Sequence, residues 1–345
     1  MQKKWMKFLL TAVLTLSVTA LTGCGGTQKG SSSPQETTAA AEKETAQDES
    51  TDTKDTKDAE NKGSATEGTG RQNGTVYPLT VTDGLGDEVT IEAEPERVIS
   101  LSPANTEILF ALDAGTMIKG RTDYCSYPAE AADVPSIGTY TSPNTELIIS
   151  MEPDVIFASD YMDDSIREQV EAAGAKVVVF SANSVESVLD AILQAGKILN
   201  LNENAQALVD SMNADLEDLQ TDIADKKGTR SVFVDIGSYY SAGPGSLLAD
   251  MLDKIGATNI AADPGEAYPQ LSVESIIEKD PDVYISLYTT AEELKETSGL
   301  NDLDCIKNDK ITYYEALSNE ADMIQRPGPR VVEGMELLAE QIYEK

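Results

Sequence analysis

Beyond residue 76, short apolar runs alternate with stretches whose apolar residues recur at spacings of three and four. That pattern predicts strands and helices in turn. Residues 77–95 read as a hairpin: Leu79-Thr80-Val81 and Glu88-Val89-Thr90-Ile91 alternate around Asp83-Gly84-Leu85-Gly86. Arg97 to Leu101 (RVISL) predicts a buried strand. Ser102-Pro103 then supplies an N-cap and first residue for a helix running to Leu112. Further strands are expected at 155–158, 176–180, 231–236 and 283–287, with helical patterns between them. Alternation of this kind implies an α/β fold, with parallel sheets covered by helices on both faces.

The middle of the chain differs. From Ser184 to about Lys226 there is no strand signal. After Asn202, residues Ala205, Leu208, Val209, Met212, Leu216, Leu219 and Ile223 form an apolar stripe. About 22 residues rising 1.5 Å each give a rod of roughly 33 Å, read as a spine between two lobes. An internal repeat points to the same division. ELIISMEPDVIF (146–157) and ESIIEKDPDVYI (274–285) share six of twelve positions at an offset of 128. Each copy reads as a helix, a Pro stop and a buried strand. The expected organisation is an N-terminal lobe at 76–183, a helical spine at 184–227 and a C-terminal lobe at 228–345, with a ligand cleft between the lobes.

Residues 1–24 are a separate object. Lys3, Lys4 and Lys7 precede a 13-residue apolar stretch from Phe8 to Ala20, too short to span a bilayer and typical of a signal peptide. It ends in Leu21-Thr22-Gly23-Cys24, which resembles the bacterial lipobox and implies lipidation of Cys24. Residues 25–75 contain Ala as their only apolar type and read as a disordered tether.

Composition narrows the chemistry. The chain of 345 residues has Asp+Glu 60 against Lys+Arg 26, a formal net charge of -34, and the folded part holds 50 acids and 17 bases of these. Such a surface repels phosphate backbones, so no nucleic-acid partner is expected. There is no His. Ser-His-Asp and Cys-His catalysis and imidazole metal sites are therefore excluded. GxSxG, Walker, GxGxxG, CxxC and EF-hand motifs are absent too. No catalytic residues, metal or catalytic cofactor are expected, and the protein reads as a binding protein rather than an enzyme. Beyond Cys24 only Cys125 and Cys305 remain, expected in different lobes as free thiols. The candidate ligand groups are tyrosines in non-periodic loops: Tyr124 and Tyr127 (TDYCSYP), Tyr140 (GTYTSPN), Tyr239-Tyr240 (GSYYSAGPG) and Tyr268 (GEAYPQ). Each offers a flat apolar face and a hydroxyl, suited to a large, partly polar ligand.

RVISLSPANTE (97–107), GRTDYCSYP (120–128), NTELIISMEPDVI (144–156), AYPQLSVESI (267–276) and IQRPGPR (324–330) resemble ABC-importer substrate-binding lipoproteins of the helical-backbone class. That class has two Rossmann-like lobes joined by a long rigid helix, and the chain looks most like its vitamin B12 (cobalamin) binding branch. The resemblance implies that Tyr124, Tyr140, Tyr240 (or Tyr239) and Tyr268 pack a corrin ring. It implies that Asp322 and Arg326 meet the ligand's polar rim, and that Glu146 and Glu274 dock with arginines of the permease. Tyr140 and Tyr268 stand where the branch can use Trp, so the exact ligand stays open.

The expected protein is then a monomeric, lipid-anchored extracytoplasmic receptor. It would carry cobalamin or a related corrinoid, as cargo, to an ABC permease dimer with its ATPase subunits. A ferric siderophore or haem on the same fold is the alternative, and a secreted hydrolase a second. Few bases in the cleft and no His weigh against anionic iron chelates.

Overall fold

Residues 74–263 and 265–344 are described by the computed structural model; the expected signal peptide, Cys24 and the expected tether up to residue 73 lie outside them. Thr75, the last residue of the expected tether, is held: its N–H donates to Asn200 Oδ1 at 2.8 Å and its hydroxyl to the Lys197 carbonyl at 2.7 Å. The chain opens with the expected hairpin, β1 (Leu79–Thr82) antiparallel to β2 (Glu88–Ile91), with Leu79 opposite Ile91.

The N-terminal lobe follows in the order β3 (Val98–Ser100), α1 (Pro103–Ala111), β4 (Ile118–Arg121), α2 (Thr145–Ser150), β5 (Val155–Ser159), α3 (Asp164–Ala172) and β6 (Lys176–Phe180). Two helices come next, α4 (Val185–Ile198) and α5 (Asn202–Asp222). The C-terminal lobe contains β7 (Ser231–Asp235), α6 (Leu247–Lys254), β8 (Thr258–Asn259), α7 (Val273–Lys279), β9 (Val283–Ser286), α8 (Ala291–Glu296), α9 (Asp304–Lys307), β10 (Ile311–Tyr313), α10 (Asn319–Gln325) and α11 (Val331–Tyr343). Both four-stranded sheets are parallel, with orders β4-β3-β5-β6 and β10-β9-β7-β8. The 128-residue repeat occupies corresponding places in the two lobes, as the helix and strand α2–β5 and α7–β9, each strand lying beside its lobe's first strand.

Strand alternation decides how the core is divided. Val98, Val155, Phe157, Val178, Val232, Val234, Val283 and Ile285 face one continuous core shared by both lobes. Their neighbours Ile99, Ile156 and Val177 face a second cluster under α2 and α3. Phe233 and Tyr284 face a third under α7, α8 and α9. The central strands are therefore buried on both faces, as helices on either side require.

The rod expected after Asn202 is α5, and the expected spine at 184–227 holds a second helix, α4, before it. The N-terminal end of α4 donates its Val185 N–H to the Asp250 carboxylate on α6 of the C-terminal lobe. Its last turn accepts the Tyr77 hydroxyl on the Ile198 carbonyl, on the N-terminal side. The start of α5 binds the end of α1 through Asn204 to the Leu112 carbonyl and Asp113, and its far end lies by Lys226, which pairs with Glu344. The two helices run in opposite senses between the lobes. Asn200, at a left-handed φ of 59°, makes the turn. Both contribute buried residues to the shared core, so the spine is part of the lobes' packing rather than a free link.

Candidate functional site

In parallel α/β sheets a ligand crevice forms beyond the carboxyl ends of the strands, where the connections diverge to opposite sides. The loops at these ends carry tyrosines in both lobes. Tyr124, Tyr140, Tyr240 and Tyr268 are 44%, 43%, 43% and 51% exposed, unusual for aromatic rings.

Within each lobe two tyrosine loops are laced together by backbone bonds. In the N-terminal lobe Ile137 N–H donates to the Arg121 carbonyl and Asp123 N–H to that of Gly138. Asp123 also accepts from the Ser136 hydroxyl. This joins the Tyr124 loop to the Tyr140 loop. In the C-terminal lobe Ser241 N–H donates to the Pro269 carbonyl, Gly243 N–H to Ala267 and Leu271 N–H to Tyr239, joining the Tyr240 loop to the Tyr268 loop. Gly243 is required there, because a Cβ would collide with the Glu266 carbonyl.

The two tyrosines of the 239–240 pair separate. Tyr239 packs against the third core cluster, at a φ of 64°, whereas Tyr240 turns out. Asp235, at the end of β7, fixes that turn by accepting Gly237 N–H at 2.8 Å, Tyr239 N–H at 3.1 Å and the Tyr284 hydroxyl at 3.0 Å. Burial raises the Asp235 pKa above the ordinary carboxylate value, against the lowering effect of these donors. The Tyr268 hydroxyl is also pushed up, first by burial and then by Tyr161 and Asp160. Those two groups belong to the other lobe, so charges of both lobes act on Tyr268.

Asp322 and Arg326 are committed to protein partners. Asp322, on α10, is buried and pairs with Arg326 at 2.7 Å. Arg326 also reaches Glu107 of α1 at 2.9 Å. Arg330 grips the same carboxylate with two bonds of 2.8 Å, from Nε to Oε2 and from Nη2 to Oε1. Its guanidinium lies 3.9 Å from the Tyr127 ring centroid. Burial acts to lower the Arg330 pKa, but Glu107 outweighs it and holds the pKa above its ordinary value. Burial pushes the Asp322 carboxyl up, with Arg326 opposing. Arg121, another base at these loops, donates to the carbonyls of Ala131 and Thr122.

Sequence reasoning did not single out Glu107, Arg330, Tyr161 and Tyr288. The last two follow β5 and β9 directly and are 69% and 50% exposed. An aromatic residue just past an apolar strand was the available signal. For Arg330, it was two Arg within five residues of a base-poor lobe. A cavity of about 420 Å³ lies elsewhere, lined by residues such as Asn183, Ser184, Ser246, Asp250 and Asn259. Its lining includes no aromatic residue.

Glu146 and Glu274 sit at the second position of α2 and α7, each two residues past its cap. Asn144 accepts Leu147 N–H and Ser272 accepts Ser275 N–H. Glu146 and Glu274 are both exposed, each at a helix start on the surface of its lobe. Cys125 and Cys305 are free and buried, one in each lobe; burial lifts the Cys305 thiol to about 11.

Comparison with known proteins agrees with the two-lobed fold. The periplasmic binding protein family matches residues 98–316. The chain belongs to that family. An ABC transporter substrate-binding lipoprotein of Bacillus subtilis (strain 168) is 31% identical over 79% of this chain and 88% of its own. A vitamin B12-binding protein of Salmonella choleraesuis (strain SC-B67) is 30% identical, over 68% of this chain and 86% of its own. The crystal structure of a possible iron-binding, periplasmic solute-binding protein from Staphylococcus epidermidis is 28% identical. It covers 72% of this chain and 99% of its own, with a TM-score of 0.64. This chain is thus a substrate-binding component of the kind that serves ABC importers, built from two parallel-sheet lobes.

Proposed function

We propose that this family member is an extracytoplasmic lipoprotein, anchored through Cys24, that captures cobalamin or a related corrinoid and hands it to an ABC permease. The observation that carries the reading is the set of outward tyrosines on paired loops of both lobes, beside arginines already neutralised by protein partners. Tyr124, Tyr140, Tyr240 and Tyr268 stack on the ligand, with Tyr239 supporting Tyr240, while Asp322 and Arg326 form the floor between the lobes. A crevice whose bases are bonded to protein groups suits a ligand without net negative charge and disfavours anionic haem or ferric siderophores. A relative named for vitamin B12 supports the corrinoid; the iron-binding neighbour is why the siderophore is the second reading. Glu146 and Glu274 are the docking residues, one per lobe.

The test is a visible spectrum of protein incubated with cyanocobalamin and desalted. The wild type is expected to retain corrin absorbance, and Tyr140→Ala and Tyr268→Ala to bind about tenfold more weakly or worse, as removal of a stacking face predicts. Retention of haem or a ferric siderophore with no corrinoid would overturn the assignment.

A further inference from the structure

Three charged side chains join the lobes at the floor of the crevice. Glu107 belongs to α1 of the N-terminal lobe and is 2% exposed; Arg330 begins α11 of the C-terminal lobe and is 5% exposed. The Glu107 carboxylate receives three N–H bonds of 2.8 to 2.9 Å, two from Arg330 and one from Arg326. Arg330 Nη1 donates onward to Asn319 Oδ1 at 2.7 Å, and Asp322 balances the second guanidinium. With two acids and two bases the cluster is neutral. The connecting loop lies against α1 at Gly328, where a Cβ would make ordinary contacts with Glu107 Oε2 at 3.5 Å and the Ala104 carbonyl at 3.7 Å.

The same arginines hold an aromatic loop of the opposite lobe. Arg326 Nη2 donates to the Tyr124 carbonyl at 3.2 Å and to Ser126 Oγ at 3.4 Å. Arg330 stacks on Tyr127. Buried charges need geometry this complete, since losing one partner leaves the others desolvated and unpaired. We propose that Glu107, Arg326 and Arg330 form a latch between the lobes that sets the opening of the crevice and positions the Tyr124–Tyr127 loop. They act as positioning residues: affinity depends on them through the tyrosines they hold. This rests on the crevice being the ligand site.

Amide hydrogen exchange on the ligand-free protein tests the latch independently of any ligand. Arg330→Lys keeps the charge but loses the two-pronged grip and the planar stack. Exchange across residues 120–130 is expected to quicken about tenfold or more through local opening, with β6 and β7 unaffected. Glu107→Gln, a second variant that keeps the side chain's shape, is expected to loosen 120–130 and 319–330 together. Unchanged exchange in these loops, or a uniform increase through both sheets, would overturn the latch. Cyanocobalamin affinity is then read on the same proteins. A weakening of about tenfold in Arg330→Lys at preserved Tm supports positioning; affinity within about twofold of wild type despite a loosened loop refutes it. Failure of the wild type itself to hold cyanocobalamin would count against the corrinoid reading, while the exchange result would still decide the latch.

Discussion

Asp235 shows how one carboxylate shapes a binding loop. It accepts three hydrogen bonds, all of which favour its charged form, yet burial wins and its pKa is raised. The folded state therefore keeps this proton to a higher pH than the unfolded chain, whose value is about 3.9. Stability from the group is fully present below that value and is lost as pH rises through the raised folded pKa. The stability difference between wild type and Asp235→Asn is thus expected to shrink from about pH 4 upward, read by urea unfolding at each pH. A difference that grows with pH would show that the donors, not burial, dominate. The surrounding chemistry was only half legible. Tyr239 and Tyr240 stand out in the sequence as loop aromatics, but which one turns outward depends on the left-handed Ser238 and Tyr239 that Asp235 holds in place. Glu107 and Arg330 were invisible as a pair, because 223 residues separate them.

At the scale of elements, buried parallel strands were readable as apolar runs, and the strands that were not lie at sheet edges. β4 (IKGR), β8 (TN) and β10 (ITY) are two to four residues long, and β4 and β8 carry polar groups. Each closes one side of its sheet, where less of the surface needs apolar cover. The start of α5 at Asn202 was readable, but the reversal of direction before it was not: no Gly or Pro interrupts the helical pattern at 199–201, and Asn200 takes the left-handed conformation itself. The pair packs through Gly196, where a Cβ would collide with that of Ala205 and meet the Leu201 carbonyl at 3.1 Å. Gly196→Ala is expected to cost about 1–3 kcal/mol by overpacking despite the gain in helix propensity. Gln206→Ala, on the exposed side of α5, should stay within about 0.5 kcal/mol of wild type. Equal urea midpoints for the two variants would show that the helices can separate freely and that the spine is not a rigid strut.

Over the whole molecule, one core running through both lobes has a consequence for docking. Glu146 and Glu274 stand on helices of corresponding position in two similar lobes, and the lobes share packing through α4, α5 and α11. Their separation is therefore fixed by side-chain packing and by the latch, not by a flexible link. Each carboxylate is favoured at its helix N-terminus by about 0.3–1 kcal/mol, which alone would account for either glutamate. That local benefit does not require the two to recur at equivalent sites on both lobes. A dimeric permease offering two cationic sites does require it, since the second contact forms at high effective concentration once the first is made. Reversing one charge should weaken uptake in part, and reversing both, in Glu146→Lys with Glu274→Lys, should abolish it. The retained corrin absorbance of the purified double variant should match the wild type, because neither glutamate belongs to the tyrosine loops. Uptake that survives double reversal at unchanged affinity would return both glutamates to ordinary helix-terminus roles.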